Sequence, residues 1–259
     1  MIEYRRVHKS FDFPVLAGVD LTVATGETVA IVGPSGCGKS VLLKTTIGLI
    51  QPDSGDVLID GESVFRATPA ELRRIVGKVG YVFQTAALFD SLDVYENVTM
   101  GIRQEEARCL DSRDLRVRVV RALEDVNLDP AQVMGKLPAE LSGGMRKRVG
   151  LARAIVGRPR ILLYDEPVTG LDPVNSATVA RLIGEIGRRM GVTTVMVTHD
   201  VEGALAVCDR IALLHDGRLR FVGSPAEFRA SRDPLVNAFA RREAAAAVSL
   251  RELEAMTTQ

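Results

Sequence analysis

The chain has 259 residues, enough for one large α/β domain or two small ones. Its 33 basic and 33 acidic residues cancel, which argues against a nucleic acid as the partner, and three scattered cysteines form no metal-binding or disulfide pattern. Because no run approaches the roughly 18 consecutive apolar residues of a membrane-spanning helix and no secretory signal begins the chain, we expect a cytosolic protein.

Strands and helices alternate along most of the sequence. Two early runs, Ile2–His8 and Leu16–Val23, alternate polar and apolar residues as antiparallel neighbours do. A helical spacing of apolar residues covers Thr178–Met190. Runs rich in Val, Ile and Leu predict strands at Glu27–Val32, Asp56–Ile59, Val79–Phe83, Ile161–Tyr164, Thr193–Thr198 and Ile211–His215. The pattern predicts an α/β fold with a mostly parallel sheet and an N-terminal antiparallel β region.

The middle of the chain, from Ser91 to about Gly157, has little strand signal and is dominated by helical patterns such as Arg113–Asn127. We interpret it as a helical subdomain inserted into the core. The predicted organisation is one domain over residues 1–232, with a core of 1–90 and 158–232 and a helical subdomain of 91–157. Residues 233–259 are Ala-rich and charged, which predicts a helical tail with a frayed end.

A complete phosphate-binding loop of the form G-x-x-x-x-G-K-[ST] spans Gly33, Pro34, Ser35, Gly36, Cys37, Gly38, Lys39 and Ser40. It lies between a predicted strand and a helical run, which is the context that phosphate binding needs, because the helix N-terminus adds positive charge. Lys39 would reach the β- and γ-phosphates of a nucleotide, and the Ser40 hydroxyl would bind Mg²⁺. Cys37 is either a small side chain tolerated in the loop or a redox switch, and the first interpretation is favoured.

Two further motifs carry polar groups at the ends of elements. Asp165 and Glu166 end an apolar strand, where Asp165 is suited to Mg²⁺ and Glu166 to polarising a water molecule. An Asp-Glu-Pro turn without a catalytic role is the alternative. Ser142, followed by Gly143 and Gly144, precedes a predicted helix over Arg146–Val156 and forms a second N-terminus suited to anions.

With these motifs in order, the chain resembles the nucleotide-binding subunit of an ABC transporter over roughly residues 1–225. Leu141-Ser-Gly-Gly-Met matches the family signature, and Gln84 matches the Gln loop. Gly170-Leu171-Asp172 matches the Asp loop, His199 the switch histidine, and Phe11 the aromatic residue that stacks on adenine. The resemblance implies a P-loop ATPase core with an inserted helical subdomain.

The resemblance also implies the cofactors and the role of each matching residue. ATP and Mg²⁺ would bind between two copies of the chain, paired head to tail. Lys39 and Ser40 would bind phosphate and Mg²⁺, and Gln84 and Asp165 would complete the Mg²⁺ and water shell. Glu166 would act as general base, and His199 would contact the γ-phosphate. The residues that would close on the partner's nucleotide are Ser142, Gly143, Gly144 and Asp172.

Several of these residues have simpler interpretations. His199 taken alone is a strand-end histidine, and Gln84 alone is a surface amide. Phe13 or Tyr4 could serve in place of Phe11. His8 and His215 belong to no motif and are interpreted as structural, and the Arg146-Lys147-Arg148 cluster as a solvated helix face.

An apolar group after the Gln loop is either core or a docking surface for a membrane protein. It consists of Leu88, Phe89, Leu92 and Tyr95. The resemblance places it against an integral membrane permease, so that the chain would sit peripherally at the cytoplasmic face of the inner membrane.

The cargo is predicted from two stretches, residues 84–98 and 141–148, which resemble ATPases of the Mla/Mce type that serve phospholipid and lipid trafficking. That assignment implies an Mce-type substrate-binding protein and a small accessory subunit as further partners. The alternative is an importer of amino acids or other small solutes. Two other classes are a soluble ABC ATPase without a transporter and a non-enzymatic nucleotide-binding scaffold. The intact catalytic set disfavours the scaffold.

Overall fold

The computed structural model describes residues 1–241, apart from the side chain of Pro173. The strands are β1 (Ile2–Ser10), β2 (Pro14–Val23), β3 (Thr28–Val32), β4 (Ser54–Ile59), β5 (Glu62–Ser63), β6 (Val79–Val82), β7 (Ile161–Asp165), β8 (Thr193–Thr198), β9 (Arg210–His215) and β10 (Arg218–Gly223). The helices are α1 (Lys39–Thr46), α2 (Pro69–Val76), α3 (Val94–Thr99), α4 (Gln104–Ala107), α5 (Ser112–Asp125), α6 (Pro130–Val133), α7 (Gly143–Ile155), α8 (Pro173–Met190), α9 (Val201–Val207), α10 (Pro225–Arg229) and α11 (Pro234–Ala240), with a 3₁₀ turn at Pro138–Glu140. Within residues 1–241, no helix combines the length and apolar character that crossing a membrane requires.

The predicted α/β class is confirmed, and all six predicted apolar strands are present as β3, β4, β6, β7, β8 and β9. The chain forms two compact units, one of Met1–Phe65 with the part from Met196 onward, and one of Arg66–Val195. The predicted boundaries of a core and a helical subdomain stay a prediction.

The first unit contains the antiparallel region that the early sequence predicts. Strand β1 pairs with β2 on one side and with β4 on the other, and Ile2 lies opposite both Val23 and Ile59. A second group of strands has the order β10-β9-β3, in which β3 and β9 are parallel. Every residue of β3 is buried, because its apolar side chains are covered on both faces. This strand leads directly into the phosphate loop.

The second unit combines parallel strands with a group of helices. Strands β6 and β7 are parallel, with Val79 opposite Ile161, and β8 begins beside β7. Between β6 and β7, over residues that the structure describes in full, the chain forms only helices and turns, as predicted. Helix α7 packs against α3 and α5, and its apolar face supplies Val149, Leu151 and Ile155 to the core.

Two helices begin earlier than their apolar patterns predict, because polar side chains cap them. The Ser142 side chain accepts a hydrogen bond from the backbone N–H of Met145 at 3.3 Å, so α7 starts at Gly143. Asp172 caps α8 in the same way, through the backbone N–H groups of Val174 and Asn175 at 3.1 and 3.0 Å. The predicted C-terminal tail is helical over α11, and its part from residue 242 onward lies outside the described residues.

Candidate active site

The phosphate loop of the first unit has a backbone that glycine alone fits at two positions. Gly33 and Gly38 have φ angles of 155° and 103°. A Cβ atom at Gly33 would lie 2.1 Å from the carbonyl oxygen of Leu214, and one at Gly38 would lie 2.8 Å from that of Val15. Because both close neighbours are backbone atoms, they cannot move aside, and the loop depends on these glycines.

The phosphate loop leads into the N-terminus of helix α1, a place suited to binding an anion. The N-cap residue Gly38 provides no side-chain hydrogen bond to the first turn of α1, and a helix N-terminus attracts anions through its dipole. Lys39, which is 6% exposed, folds over the loop and donates hydrogen bonds to the carbonyl oxygens of Gly33 and Pro34 at 2.9 and 3.0 Å. Its ammonium group therefore lies against the loop, and the next residue, Ser40, is half-buried.

The loop cysteine is not a reactive thiolate in this environment. Burial raises the pKa of the Cys37 thiol, and this effect exceeds the opposite influence of the Lys39 charge. The thiol form is consequently favoured at neutral pH, which weakens the case for a redox switch. The interpretation of Cys37 as a small side chain in the loop is the better supported one.

The predicted adenine platform and switch histidine lie at the surface of the first unit. Phe11 is 58% exposed, and the Lys9 ammonium lies 5.3 Å from its ring centre, in a cation–π contact. Phe13 is also exposed, whereas Tyr4 is buried and hydrogen-bonds Thr46, which excludes Tyr4 as a platform. The side chain of His199 is exposed just after β8.

In the second unit, strand β7 ends in the two predicted carboxylates, and both are buried. Asp165 is 5% exposed and accepts a hydrogen bond from the Tyr81 hydroxyl at 3.0 Å. Glu166 is 8% exposed, and its φ of 48° lies in the left-handed region that a residue with a side chain rarely adopts. Such backbone strain is found most often at functional sites, where it aims a side chain.

The Gln loop is held by basic side chains of α7, which sequence reasoning did not predict. Lys147 donates a hydrogen bond to the main-chain carbonyl of Gln84, and Arg153 donates to the carbonyls of Ala86 and Ala87. Lys147 is only 9% exposed, so the prediction of a solvated helix face is wrong for this residue. Partners 63 residues apart in the chain leave no local signal, and the burial could not be read from the sequence.

Lys147 brings α7 and the Gln loop of the second unit together. Burial lowers the pKa of the Lys147 ammonium, and the negative charge of Glu166 partly offsets that effect. A buried cation needs polar partners, and the main-chain carbonyl of Gln84 supplies one.

The signature residues Ser142 and Gly143 are exposed at the start of α7, and Gly144 is buried. A Cβ atom at Gly144 would lie 3.1 Å from the side-chain oxygen of Asn175, so a larger residue there would require that side chain to shift. The hydrogen bond from the Asn175 side chain, followed by that from its backbone N–H, lowers the pKa of Asp172. The start of α8 therefore presents a carboxylate that stays ionised at neutral pH.

The apolar group after the Gln loop is at the surface rather than in the core. Phe89 is 50% exposed, and Leu88, Leu92 and Tyr95 are half-buried. Asn97, which is fully buried, fixes the turn through hydrogen bonds with the backbone of Phe89, Leu92 and Asp93. The backbone under Phe89 is thus held in place while its ring faces outward.

The residues predicted to hold Mg²⁺ offer oxygen atoms as ligands. Among residues 1–241, no cluster of three or more His, Cys, Asp and Glu side chains could hold an ion by itself. The predicted ligands Ser40, Gln84 and Asp165 offer one hydroxyl, one amide and one carboxylate. This donor set fits Mg²⁺, which accepts few protein ligands and completes its shell with water and substrate phosphates.

Comparison with known proteins places the chain among transporter ATPases. It is 43% identical over 242 residues to the sulfate/thiosulfate import ATP-binding protein CysA of Xylella fastidiosa, covering 92% of this chain and 67% of that protein. It is 38% identical over 228 residues to the spermidine/putrescine import ATP-binding protein PotA of Pasteurella multocida, covering 88% of this chain and 59% of that protein. The chain therefore spans about two thirds or less of the length of these relatives.

The predicted assignment to the Mla/Mce lipid ATPases is not supported by these relatives, which are named for sulfate, thiosulfate and polyamine import. Nor do they support an Mce-type substrate-binding protein or its accessory subunit as partners. The structure offers a physical reason for the error. The unusual Met-Arg-Lys-Arg run makes contacts within the chain, in which Lys147 bonds to Gln84 and Arg148 to the Asn127 carbonyl at 2.7 Å. The run therefore packs within the chain, and these contacts account for its basic residues without reference to cargo.

The structure and a family model agree with the relatives. A solved dimeric structure of the ATP-binding cassette MJ0796, in a post-hydrolysis state bound to ADP and Pi, matches with a TM-score of 0.77 and 30% identity, covering 87% of this chain and 99% of that one. The family model described as ABC transporter matches residues 16–169, a span that includes the phosphate loop, the Gln loop, the signature and both carboxylates. The chain belongs to the ABC transporter family and carries its ATP-binding cassette.

Proposed function

We propose that the chain hydrolyses ATP as the nucleotide-binding subunit of a bacterial ABC importer for a small solute. The observation that carries the proposal is the phosphate loop, whose glycine-dependent backbone opens α1 with Lys39 folded over it. The relatives that import sulfate, thiosulfate and polyamines support a small solute over a lipid as cargo. The class of solute follows from these relatives, because the cassette of an importer does not itself contact the cargo.

In the proposed reaction, the protein supplies position and charge rather than covalent chemistry. Lys39 would leave its loop carbonyls and donate to the β- and γ-phosphates, as a charge-assisted partner for buried phosphate. Glu166 would accept the proton of the attacking water, and His199 would hold the γ-phosphate. Mg²⁺, held by Ser40, Gln84 and Asp165, would neutralise charge on the phosphates.

We propose that each ATP binds between two copies of the chain. The exposed Ser142 and Gly143, with Gly144 behind them, would close on the nucleotide of the partner, and Asp172 would lie at the same interface. The N-terminus of α7 suits this role, because its dipole and N–H groups attract phosphate. The dimeric form of the solved relative supports this arrangement.

The docking surface, which we define as Leu88, Phe89, Leu92 and Tyr95, would bind a cytoplasmic helix of an integral membrane permease. An exposed phenylalanine on a fixed backbone supports this role, because a rigid apolar anchor loses little entropy on binding. The chain would then lie peripherally at the cytoplasmic face of the inner membrane. A soluble ABC ATPase without a transporter would need no such surface.

ATP hydrolysis by the purified chain tests the site, with Glu166→Gln and Lys39→Ala as variants. We expect Glu166→Gln to keep ATP binding and to lower turnover about 10²- to 10⁴-fold, the usual contribution of a positioned general base. Lys39→Ala should lose both binding and turnover. Near-normal hydrolysis by either variant would contradict the assignment.

The cargo is tested separately, in cells that carry the gene of this chain in its natural genomic context. Uptake of labelled sulfate, thiosulfate and spermidine should be measured together with phospholipid transfer between membranes. We expect ATP-dependent uptake of a small solute that Glu166→Gln abolishes. Phospholipid transfer without solute uptake would overturn the importer assignment and restore the lipid one.

A further inference from the structure

The tip of the β1–β2 hairpin carries two exposed aromatic rings and lies next to the phosphate loop. Residues 11–13 form this tip, in which Phe11 is 58% exposed and Phe13 is 66% exposed. Two residues after the tip, the carbonyl oxygen of Val15 would lie 2.8 Å from a Cβ atom at Gly38, so β2 begins against the phosphate loop. Because every nucleobase has an aromatic face, a ring beside a phosphate site is suited to stacking on the base of a bound nucleotide.

One of the two rings is held in place by a cation. The Lys9 ammonium lies 5.3 Å from the centre of the Phe11 ring, within the distance of a cation–π contact. The ammonium occupies one face of the ring, and the exposure of Phe11 leaves room for a second partner on the other face. Among the residues that the structure describes, no such cation lies over the ring of Phe13. The two exposed rings of the tip therefore differ in how firmly they are held.

Asp53 fixes both the Lys9 side chain and the end of β1. The Lys9 ammonium donates a hydrogen bond to one carboxylate oxygen of Asp53 at 2.8 Å, and the Ser10 N–H donates to the other at 2.6 Å. The N–H of Asp53 donates in turn to the His8 carbonyl at 2.8 Å, so three consecutive residues of β1 bond to Asp53. The hydrogen bonds from Lys9 and Ser10 lower the pKa of Asp53, which keeps the carboxylate ionised at neutral pH.

Stability alone does not explain the Lys9–Asp53 pair. The Asp53 side chain is 46% exposed, and ion pairs open to solvent contribute little to folding, while an ordered lysine loses rotamer freedom. The Lys9 side chain is nevertheless only 18% exposed, and its ammonium lies over the Phe11 ring. A ring held in one orientation loses less entropy when a ligand stacks on it than a ring that is free to change rotamer. The arrangement therefore favours binding more than folding.

We propose that Lys9, held by Asp53, is a positioning residue that fixes the Phe11 ring, so that the base of the bound nucleotide stacks on the face opposite the ammonium. The inference rests on the proposed function, since it requires a nucleotide in the phosphate loop. It assigns Phe11 rather than Phe13 to the base, and it gives a role to a lysine that contacts no part of the phosphate site.

The test compares a ligand that has a base with one that lacks it. The Kd values of ADP and of inorganic pyrophosphate are measured by isothermal titration calorimetry with the purified full chain. Both ligands have a diphosphate, and only ADP has a base. Phe11→Ala should raise the Kd of ADP at least about 5-fold, the lower end of one base–aromatic stack, and leave that of pyrophosphate within about 2-fold. Phe13→Ala is the matched control, and it should leave both values within about 2-fold.

Lys9→Met keeps the length of the side chain and removes its charge. We expect the Kd of ADP to rise about 3- to 5-fold, the size of an exposed cation–π contact, and that of pyrophosphate to change less than about 1.5-fold. Lys9→Arg keeps a cation that can lie over the ring and should stay within about 2-fold of the natural chain for ADP. Arg5→Met removes a cation from another ion pair of β1, with Glu3, and should change neither Kd by more than about 1.5-fold.

A double-mutant cycle and a thermal melt separate positioning from structure. In the Phe11→Ala background, Lys9→Met should change the Kd of ADP by less than about 1.5-fold, because the ring that it positions is already lost. The melting temperature of Lys9→Met should lie within about 2 °C of the natural chain, as expected for the loss of one exposed ion pair.

Three results would overturn the inference. These are an unchanged Kd of ADP in Lys9→Met, equal losses for ADP and pyrophosphate, which would mark attraction of phosphate charge or general damage, and a larger effect of Phe13→Ala than of Phe11→Ala. Failure of the proposed function is a separate result. If the natural chain binds ADP but does not hydrolyse ATP, the proposed function fails, while the two Kd values still decide whether Lys9 positions Phe11 for a base.

Discussion

Replacement of Asn97 should test whether the docking surface depends on the turn that the Asn97 side chain holds. Its side chain accepts from the N–H of Phe89 at 2.8 Å and donates to the carbonyls of Phe89, Leu92 and Asp93 at 3.1, 2.9 and 3.0 Å. At about 1 kcal/mol for each of these bonds, and allowing water to replace some of them, Asn97→Ala should cost about 2–4 kcal/mol. For a chain of this size that corresponds to a fall of roughly 5–15 °C in melting temperature.

The assay combines a thermal melt with copurification of the permease. We expect Asn97→Ala to melt lower and to lose the permease, because the turn that presents Phe89 is no longer held. The control is Asn237→Ala, which removes a single hydrogen bond to the Ser231 carbonyl at 3.1 Å and should cost about 1 kcal/mol. A melting temperature within about 1 °C of the natural chain, below the shift expected from even one lost bond, would refute the reasoning, and so would retained permease binding.

Two further predictions follow from the exposure of single residues. Ser142→Arg should abolish hydrolysis while ATP still binds, because the large cation blocks closure on a partner's nucleotide; mixing it with Lys39→Ala makes one intact composite site and should restore part of the activity. A nearly silent Ser142→Arg would show that single chains hydrolyse ATP. Phe89→Asp should change the stability by less than about 0.5 kcal/mol, as exposed substitutions do, and should abolish permease copurification while basal hydrolysis continues. Val117→Asp, at a residue 59% exposed on α5, is its control, and equal loss of the permease in both variants would count against the docking surface.

The sequence was most informative where an apolar run is fully buried or a motif is local. The apolar runs of β3 and β7 are fully buried in the structure, and such runs are recognisable without any partner. Strand β10 was not predicted, because none of its six residues is buried and two of its exposed positions carry Arg218 and Arg220. Strand β5 has two residues, too few for any periodic pattern.

Residues of the site could likewise be predicted where the signal is local in the sequence, and could not where it depends on distant partners. The phosphate loop could be predicted in full, since one short segment supplies its glycines, its cation and its helix N-terminus. Lys147 was misassigned because nothing near it in sequence distinguishes a buried cation from the solvated Arg146 beside it. The apolar run after the Gln loop is compatible with core or surface in the sequence, and the exposure of Phe89 in the structure decides between them.

The backbone of Glu166 has a consequence for how this chain can change. A left-handed conformation costs a residue with a side chain about 1 kcal/mol or more, and glycine would be relieved of that cost. Selection for thermal tolerance alone would therefore reward glycine at position 166, although such a chain lacks the carboxylate. Under the proposed function, stability and turnover are thus opposed at this residue.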